Sequence, residues 1–264
     1  MNKRTLLAAA ALSMTAVTTL TACGDDKKTD DKGAGDSVSA SATPSPAKPA
    51  DPFKGLTGSQ ISEKARVAMT KLDSFKVKGG MTTDGKQMTF DFAVAKKGDC
   101  QGTFTVGGAA ADVRQAGGAT YMKGDEKFWQ QMGGEEGSSA EETKALTELL
   151  KGRWLKMPSG KGQADDQFPF CDIDTMFEKD KDEARLTRGA DTQVNGTSAV
   201  TLTGKDGAET QTLLVAAEGE PYALRMAVKG GKEPGSFDFL AFNEPVTVTA
   251  PPAGEVMDTS KLGG

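Results

Sequence analysis

The 264-residue sequence contains no histidine. Without an imidazole, the chain cannot form a Ser-His-Asp or Cys-His catalytic site, a histidine metal site or the usual general base near neutral pH. Only three cysteines are present, which excludes a cysteine-rich zinc or iron–sulfur centre. The Gly-x-x-x-x-Gly-Lys-Ser/Thr motif of nucleotide-binding loops is also missing. These absences favour a protein that is not an enzyme and that needs no cofactor.

A clustered positive charge is missing as well. The formal net charge is −5, and acidic and basic residues are interspersed along the chain. We therefore expect neither nucleic acid nor a charged membrane surface as a partner of the folded part.

Four acidic residues near the third cysteine are the remaining candidates for acid–base catalysis or for Ca²⁺ binding: Asp165, Asp166, Asp172 and Asp174. Carboxylates in loops are usually solvated, and residues 172–178 lack the turn glycine and regular ligand spacing of an EF-hand loop. We expect no metal site and no catalytic residue here.

The only long uncharged apolar run lies at the N-terminus. Residues 2–4 are Asn-Lys-Arg, and an Ala/Leu-rich run follows over residues 6–20, the pattern of a secretory signal peptide. The run ends in Leu-Thr-Ala-Cys at residues 20–23, which resembles the lipobox of bacterial lipoproteins. The alternative is an ordinary secretory signal followed by a chance cysteine. We predict that residues 1–22 are removed and that Cys23 carries a lipid with palmitate-type acyl chains, which would anchor the protein to the membrane.

Residues 23–55 form the second predicted segment. Charged residues come first, followed by Gly, Ser and Ala and then by prolines at positions 44, 46, 49 and 52. A segment so poor in apolar residues cannot form a core, so we expect a disordered tether. Residues 56–264 are long enough for one domain, and their composition marks no second linker.

Lipidation of Cys23 leaves Cys100 and Cys171 as a pair in an exported protein. An even number of cysteines outside the cytoplasm favours a disulfide, and we predict that these two residues form one. The bond would pin a central helical insertion against the first strands of the sheet. Two free buried thiols are the alternative.

Short β-type runs dominate the domain. Residues 88–94 alternate large apolar with small or polar residues, as in a strand covered on one face. Asn195-Gly196 between two such runs is the strongest hairpin signal. Helices are expected after Ser59 as N-cap and over residues 125–132, 139–150 and 172–179. The pattern predicts an α+β fold in which a single large antiparallel sheet carries a few helices on one face.

The order of segments resembles a known group of lipoproteins. A lipobox, a tether and a leading helix precede a meander that contains GGATYMK at residues 117–123, with Phe128-Trp129 after it, and VTVTAPP closes the domain at residues 246–252. Together these features are similar to actinobacterial lipoproteins of the LolA/LppX/LprG-like superfamily. The resemblance implies a strongly curved sheet, or half-barrel, with helices on its concave face above an apolar cavity. Its better-known members carry lipids or lipidated proteins.

The apolar residues of the predicted strands are candidates for lining such a cavity, since Met and Phe on a covered sheet face can leave unfilled volume. A packed core made of the same residues is the alternative. The candidates are Met88, Phe90, Phe92, Val94, Leu213, Val215, Leu224, Met226, Val228, Phe237 and Phe239.

Two functions are compatible with these predictions. The first is a monomeric, non-enzymatic lipoprotein on the extracytoplasmic face of the cell membrane that binds or carries a lipid or another hydrophobic molecule. The second is a structural or interaction module that docks another cell-envelope protein without a ligand. A carrier needs a dry cavity, whereas an interaction module needs an exposed apolar patch.

Overall fold

The structure is a computed structural model, and it describes residues 51–135, 139–157, 168, 171–179 and 185–258. The predicted signal peptide, Cys23, most of the predicted tether, Asp165 and Asp166 lie outside the described residues.

Twelve strands form one sheet, in the order β12-β6-β5-β4-β3-β2-β1-β11-β10-β9-β8-β7. Their bounds are β1 Ser74–Thr83, β2 Lys86–Ala95, β3 Cys100–Val106, β4 Ala109–Ala116, β5 Ala119–Gly124, β6 Trp154–Lys156, β7 Thr187–Val194, β8 Thr197–Asp206, β9 Glu209–Ala216, β10 Ala223–Lys229, β11 Gly235–Leu240 and β12 Val256–Asp258. The sheet is curved and is not closed on itself, so the predicted α+β fold is confirmed.

One strand pair departs from the antiparallel prediction. β12 runs parallel to β6, with Val256 opposite Trp154, so the sheet is mixed. The reason is the path of the chain after β11, which leaves the centre of the sheet and returns to its far edge. Nothing in the apolar pattern of the three residues 256–258 announces this strand.

Four described α-helices accompany the sheet: α1 Gly58–Thr70, α2 Glu126–Glu135, α3 Ala140–Leu150 and α4 Ile173–Met176. The predicted capping box of α3 is present, because the Ser139 hydroxyl accepts a hydrogen bond from the backbone N–H of Glu142, and the Glu142 carboxylate accepts one from the backbone N–H of Ser139. α4 is shorter than predicted and begins after Asp172, whose carboxylate caps it.

The start of α1 differs from the prediction. Thr57, not Ser59, is the N-cap, and its side chain forms a capping box with Gln60. Gly58 follows because a β-carbon at this position would come within 2.2 Å of the Leu186 carbonyl oxygen. The close approach of the helix start to residue 186 therefore requires glycine at position 58, and the Thr57 capping box marks the start of the helix.

Two-residue turns connect the hairpins where the sequence predicts them. Asp84 and Gly85 have φ angles of 50° and 73°, and Asn195 and Gly196 have φ angles of 50° and 83°. Positive φ at both central positions suits the right-handed twist of the flanking strands, and Asn, Asp and Gly tolerate it best. These turns place Met81 opposite Met88 and Val194 opposite Thr197.

The helices and the main core share one face of the sheet. The largest cluster of buried apolar residues combines Met69, Phe75, Phe92, Trp129 and Leu150 with their neighbours. A second cluster packs α1 against β8 and β9. The third and smallest cluster lies on the opposite face of the sheet. Its Ala199 and Ala216 are adjacent along their strands to Val200 and Val215 of the second cluster, and adjacent strand residues point to opposite faces. Val194 and Leu224 belong to the same third cluster.

The packed domain begins at or before Asp51, although the sequence places residues 51–55 in the tether. The Phe53 side chain is buried in the second cluster, and the Asp51 carboxylate lies 2.7 Å from the Arg188 guanidinium. Within the described ranges, no helix has the length and apolar character that crossing a membrane requires.

Candidate apolar cavity

A cavity of about 490 Å³ lies on the helix-covered face of the sheet. Six methionines, six phenylalanines and one valine form its walls. They are Val77, Met81, Met88, Phe90, Phe104, Met122, Phe128, Met132, Phe168, Met176, Met226, Phe237 and Phe239. The lining side chains thus consist only of hydrocarbon and sulfur, and the volume falls within the range of about 300–1,000 Å³ that small-molecule pockets occupy.

The floor of the cavity is formed where β1 lies between β2 and β11. Gly79 of β1 is opposite both Phe90 and Phe237. Because Gly79 has no side chain, the two rings stack across it with their centroids 5.3 Å apart. A β-carbon at position 79 would come within 2.1 Å of the Ser236 carbonyl oxygen, so the strands approach closely here. On β1, Gly79 lies between the larger lining residues Val77 and Met81. The missing side chain at position 79 leaves a depression in the centre of the cavity floor.

α2 forms one wall. Phe128 and Met132 are four residues apart and therefore project from the same side of the helix. Asp125 secures the start of α2, since its carboxylate accepts hydrogen bonds from the backbone N–H groups of Phe128 at 2.7 Å and of Ala110 at 3.0 Å. The Phe128 ring meets the edge of Phe104 on β3 at a centroid distance of 5.6 Å.

A disulfide supports another wall. Cys100 at the start of β3 is bonded to Cys171, and their Cα atoms lie 5.4 Å apart. Both cysteines are buried. Phe168 and Met176, on either side of Cys171 in the sequence, contribute side chains to the cavity. The predicted disulfide is therefore present, and it holds a cavity wall against the sheet.

A second pocket of about 360 Å³ lies between α1, α4 and strands β9 and β10. It shares Met176, Met226 and Phe239 with the apolar cavity, but its lining also includes Arg66 and Gln211. Arg66 donates hydrogen bonds to both carboxylate oxygens of Glu63, at 2.7 and 3.0 Å. The hydrogen bond from Arg66 holds the pKa of Glu63 below its ordinary value.

The opposite face of the sheet carries a polar groove. Its walls include Lys76, Lys78, Asp91 and Asp112, so charges of both signs alternate there. The Arg114 guanidinium lies 4.7 Å from the centre of the Trp154 ring. This mixed surface offers no concentrated charge to a ligand.

Solved structures with a similar chain path include two mycobacterial lipoproteins. The Mycobacterium tuberculosis lipoprotein LppX is 16% identical, with a TM-score of 0.49 over 72% of this chain and 97% of LppX. LprF from Mycobacterium bovis is 12% identical, with a TM-score of 0.48 over 74% of this chain and 97% of LprF.

A third similar structure is MucB of Pseudomonas aeruginosa in its complex with MucA. It is 16% identical, with a TM-score of 0.33 over 74% of this chain and 58% of that one. No protein-family model matches the sequence, and no curated protein matches it.

The structure brings together part of the set of candidate lining residues. Five of them line the apolar cavity, namely Met88, Phe90, Met226, Phe237 and Phe239. Leu213 lines the second pocket instead. Phe92, Val94 and Val215 are fully buried in the clusters of core residues, and Val228 lines neither pocket.

Leu224 belongs to the cluster on the opposite face. The reason is a shift of register between Ala223 and Arg225 in the pairing of β10 with β9. Strict alternation along β10 predicts that the side chains of Leu224 and Met226 share one face of the sheet. The register shift places them on opposite faces.

Sequence reasoning missed eight lining residues: Val77, Met81, Phe104, Met122, Phe128, Met132, Phe168 and Met176. The Asp84-Gly85 turn was a usable signal for one of them, since a two-residue turn sets the register that places Met81 opposite Met88. Phe104 is opposite Phe90 in the next strand pair. Phe168 lies in no regular element, and no pattern marks it.

The carboxylates considered for catalysis or Ca²⁺ binding have another role where they are described. Asp172 accepts hydrogen bonds from the backbone N–H groups of Asp174 and Thr175 and so caps α4. The Asp174 side chain is exposed. In the part of the chain that the structure describes, no three metal-ligating side chains come together.

Proposed function

We propose that this protein is a non-enzymatic lipoprotein of the extracytoplasmic membrane face that holds a lipid or another hydrophobic molecule in its apolar cavity. The observation that carries the proposal is a volume of about 490 Å³ whose thirteen lining side chains are all Met, Phe or Val. Dry, apolar cavities of this size bind hydrophobic molecules, because water gains little from occupying them.

The composition of the walls also indicates what kind of ligand fits. With no hydrogen-bonding side chain in the lining, a polar group inside the cavity would lose its water without compensation, which costs several kcal/mol. Six methionines give walls that adapt to the shape of the ligand, since their side chains are unbranched and flexible. These properties support a hydrocarbon chain or ring system as the buried part of the ligand.

The proposed anchor is the lipid on Cys23, joined to the domain by the segment up to residue 50. Attachment at the membrane would keep the cavity near a source of hydrophobic molecules. Acid hydrolysis of the full-length protein from a bacterial envelope, followed by fatty-acid analysis, tests the anchor. A C23A variant should contain no bound acyl chain.

The cavity itself is tested with the domain from residue 49 onward, purified from a bacterial envelope with its disulfide intact. Native mass spectrometry with organic extraction should find a lipid or another hydrophobic molecule in defined stoichiometry. A domain that carries no extractable molecule and that fails to bind a fluorescent hydrophobic probe such as N-phenyl-1-naphthylamine would overturn the proposal.

An interaction module without a ligand is the second candidate. Leu146 and Leu149 of α3 are exposed at 36% and 47%, and neither lines the apolar cavity. Paired apolar side chains on a helix surface favour contact with another protein. Loss of binding to an envelope protein in an L146S/L149S variant, with probe binding intact, would assign that contact to α3.

A further inference from the structure

The apolar cavity and the second pocket are neighbours separated by side chains. Met176, Met226 and Phe239 line both. Phe239 is held by aromatic contacts with Phe75 and Phe177, at centroid distances of 5.9 and 5.6 Å. Met226 lies on the sheet and is 41% exposed. Met176 reaches the boundary from the helical side and completes it.

The backbone that carries Met176 is secured at both ends. On its N-terminal side, Cys171 is bonded to Cys100, and Asp172 caps α4. On the C-terminal side of Met176, the Phe177 ring contacts the Phe75 ring at a centroid distance of 5.7 Å. The backbone carbonyl oxygen of Phe177 accepts a hydrogen bond from Arg66 at 3.4 Å. Within this segment, the backbone is fixed while the unbranched side chain of Met176 remains adaptable.

We propose that Met176 is the partition that sets how long a hydrophobic ligand the cavity accepts. With Met176 in place, an alkyl chain fills about 490 Å³ and ends at the methionine. Displacement of this side chain would join the cavity to the second pocket of about 360 Å³. The inference rests on the proposed function, because it assumes that the cavity holds a hydrophobic ligand.

The walls beyond the partition can accept the additional length. The lining of the second pocket includes Met69, Leu213 and Ala223 besides its polar side chains. Extra methylenes that pass Met176 would therefore still be buried against apolar surface. Burial of two more methylenes is sufficient for a gain in affinity of about tenfold.

The test compares variants of the disulfide-bonded domain by displacement of N-phenyl-1-naphthylamine with saturated fatty acids, from decanoic to docosanoic acid. In the unaltered protein, affinity should rise with chain length and then level off. M176A should continue to gain affinity with longer acids, by about tenfold for the longest ones. M176L, which keeps most of the volume, should retain the original limit.

M132A is the matched control. Met132 is also half-buried and lines the apolar cavity, but it does not border the second pocket. Its truncation enlarges the apolar cavity by one side chain without joining the two pockets, so affinity should again level off with chain length, whereas M176A should gain up to the longest acids. An equal gain for long acids in M132A, or an unchanged limit in a folded M176A, would overturn the partition.

The outcomes separate the two proposals. If no fatty acid displaces the probe from the unaltered protein and the probe itself does not bind, the proposed function fails. If the probe and acids bind but the limit does not depend on Met176, only the partition fails. Should M176A not fold, as judged by circular dichroism, M176V removes less volume and gives the same comparison.

Discussion

Met226 and Leu149 are two apolar side chains with similar exposure and different surroundings. They are 41% and 47% exposed, but only Met226 lines the apolar cavity. M226E should weaken binding of N-phenyl-1-naphthylamine at least tenfold, because a carboxylate at the wall must be desolvated when the ligand enters. Fluorescence titration measures the affinity.

L149E is the control for M226E. It introduces the same charge at a comparably exposed position outside the cavity, and probe affinity should stay within twofold of the unaltered protein. Equal losses in both variants would contradict a role for the cavity wall.

Glu63 makes stability depend on pH. The hydrogen bond from Arg66 lowers the pKa of Glu63 in the folded protein below its ordinary value of 4.5. A group with a lowered folded pKa contributes stability above its ordinary pKa, and this contribution is lost as the pH falls through the folded pKa. The difference in urea midpoint between the unaltered protein and E63Q should therefore shrink as the pH falls below 4.5.

E148Q on α3 provides the reference for that experiment, since Glu148 is exposed and lies on a different helix. Its midpoint should follow that of the unaltered protein at each pH. A constant offset for E63Q over the whole range would argue against the Glu63–Arg66 contact as the cause.

At the scale of elements, the two candidate caps of α1 can be separated experimentally. The Thr57 side chain accepts a hydrogen bond from Gln60, whereas Ser59 lies within the first turn and is exposed. T57A should lower the free energy of unfolding by about 1 kcal/mol, the usual cost of losing an N-cap. S59A should change it by less than about 0.5 kcal/mol, as surface substitutions do. Chemical denaturation with both variants checks the pair, and the reverse order would restore Ser59 as the cap.

Local patterns predicted most elements because their causes are local. Period-2 alternation and turn residues marked the hairpins of β1–β2 and β7–β8, and the Ser139–Glu142 capping box marked α3. Failures occurred where a distant contact decides. Gly58 at the start of α1 packs against the distant Leu186, and β12 is a strand through its pairing with β6. Leu224 was misplaced by a register shift that the alternation does not reveal.

The candidate site followed the same rule. Residues on the covered face of β2, β10 and β11 were recognisable from alternation, and five of them line the cavity. The helical wall and the disulfide-supported wall depend on how α2 and α4 dock on the sheet. No periodicity encodes that docking, so Phe128, Phe168 and Met176 were not found from the sequence.

At the scale of the whole molecule, the disulfide joins β3 to the segment that carries α4, across a sequence separation of 71 residues. A closed loop of that length restricts the unfolded chain, and C100A/C171A should lower the free energy of unfolding by about 4 kcal/mol. Urea denaturation measures the loss. V200A truncates a buried side chain in the second cluster and leaves the apolar cavity intact. Its free energy of unfolding is the reference for a core that is destabilised while the disulfide is kept. A loss below about 1 kcal/mol in the double variant would mean that the cross-link does not constrain the unfolded state.

The strand order also constrains how the chain reaches this structure. β1 pairs with β11, and β6 pairs with β12. Strands from the first half of the domain therefore need partner strands that lie near its C-terminus. Sheets built on such distant pairings form slowly, because large loops must close before the contacts stabilise them. A polypeptide that emerges from its N-terminus cannot complete the sheet until residue 258 is free. Strand β6 and the central strand β1 therefore gain their last partners only after nearly the whole domain has left the ribosome.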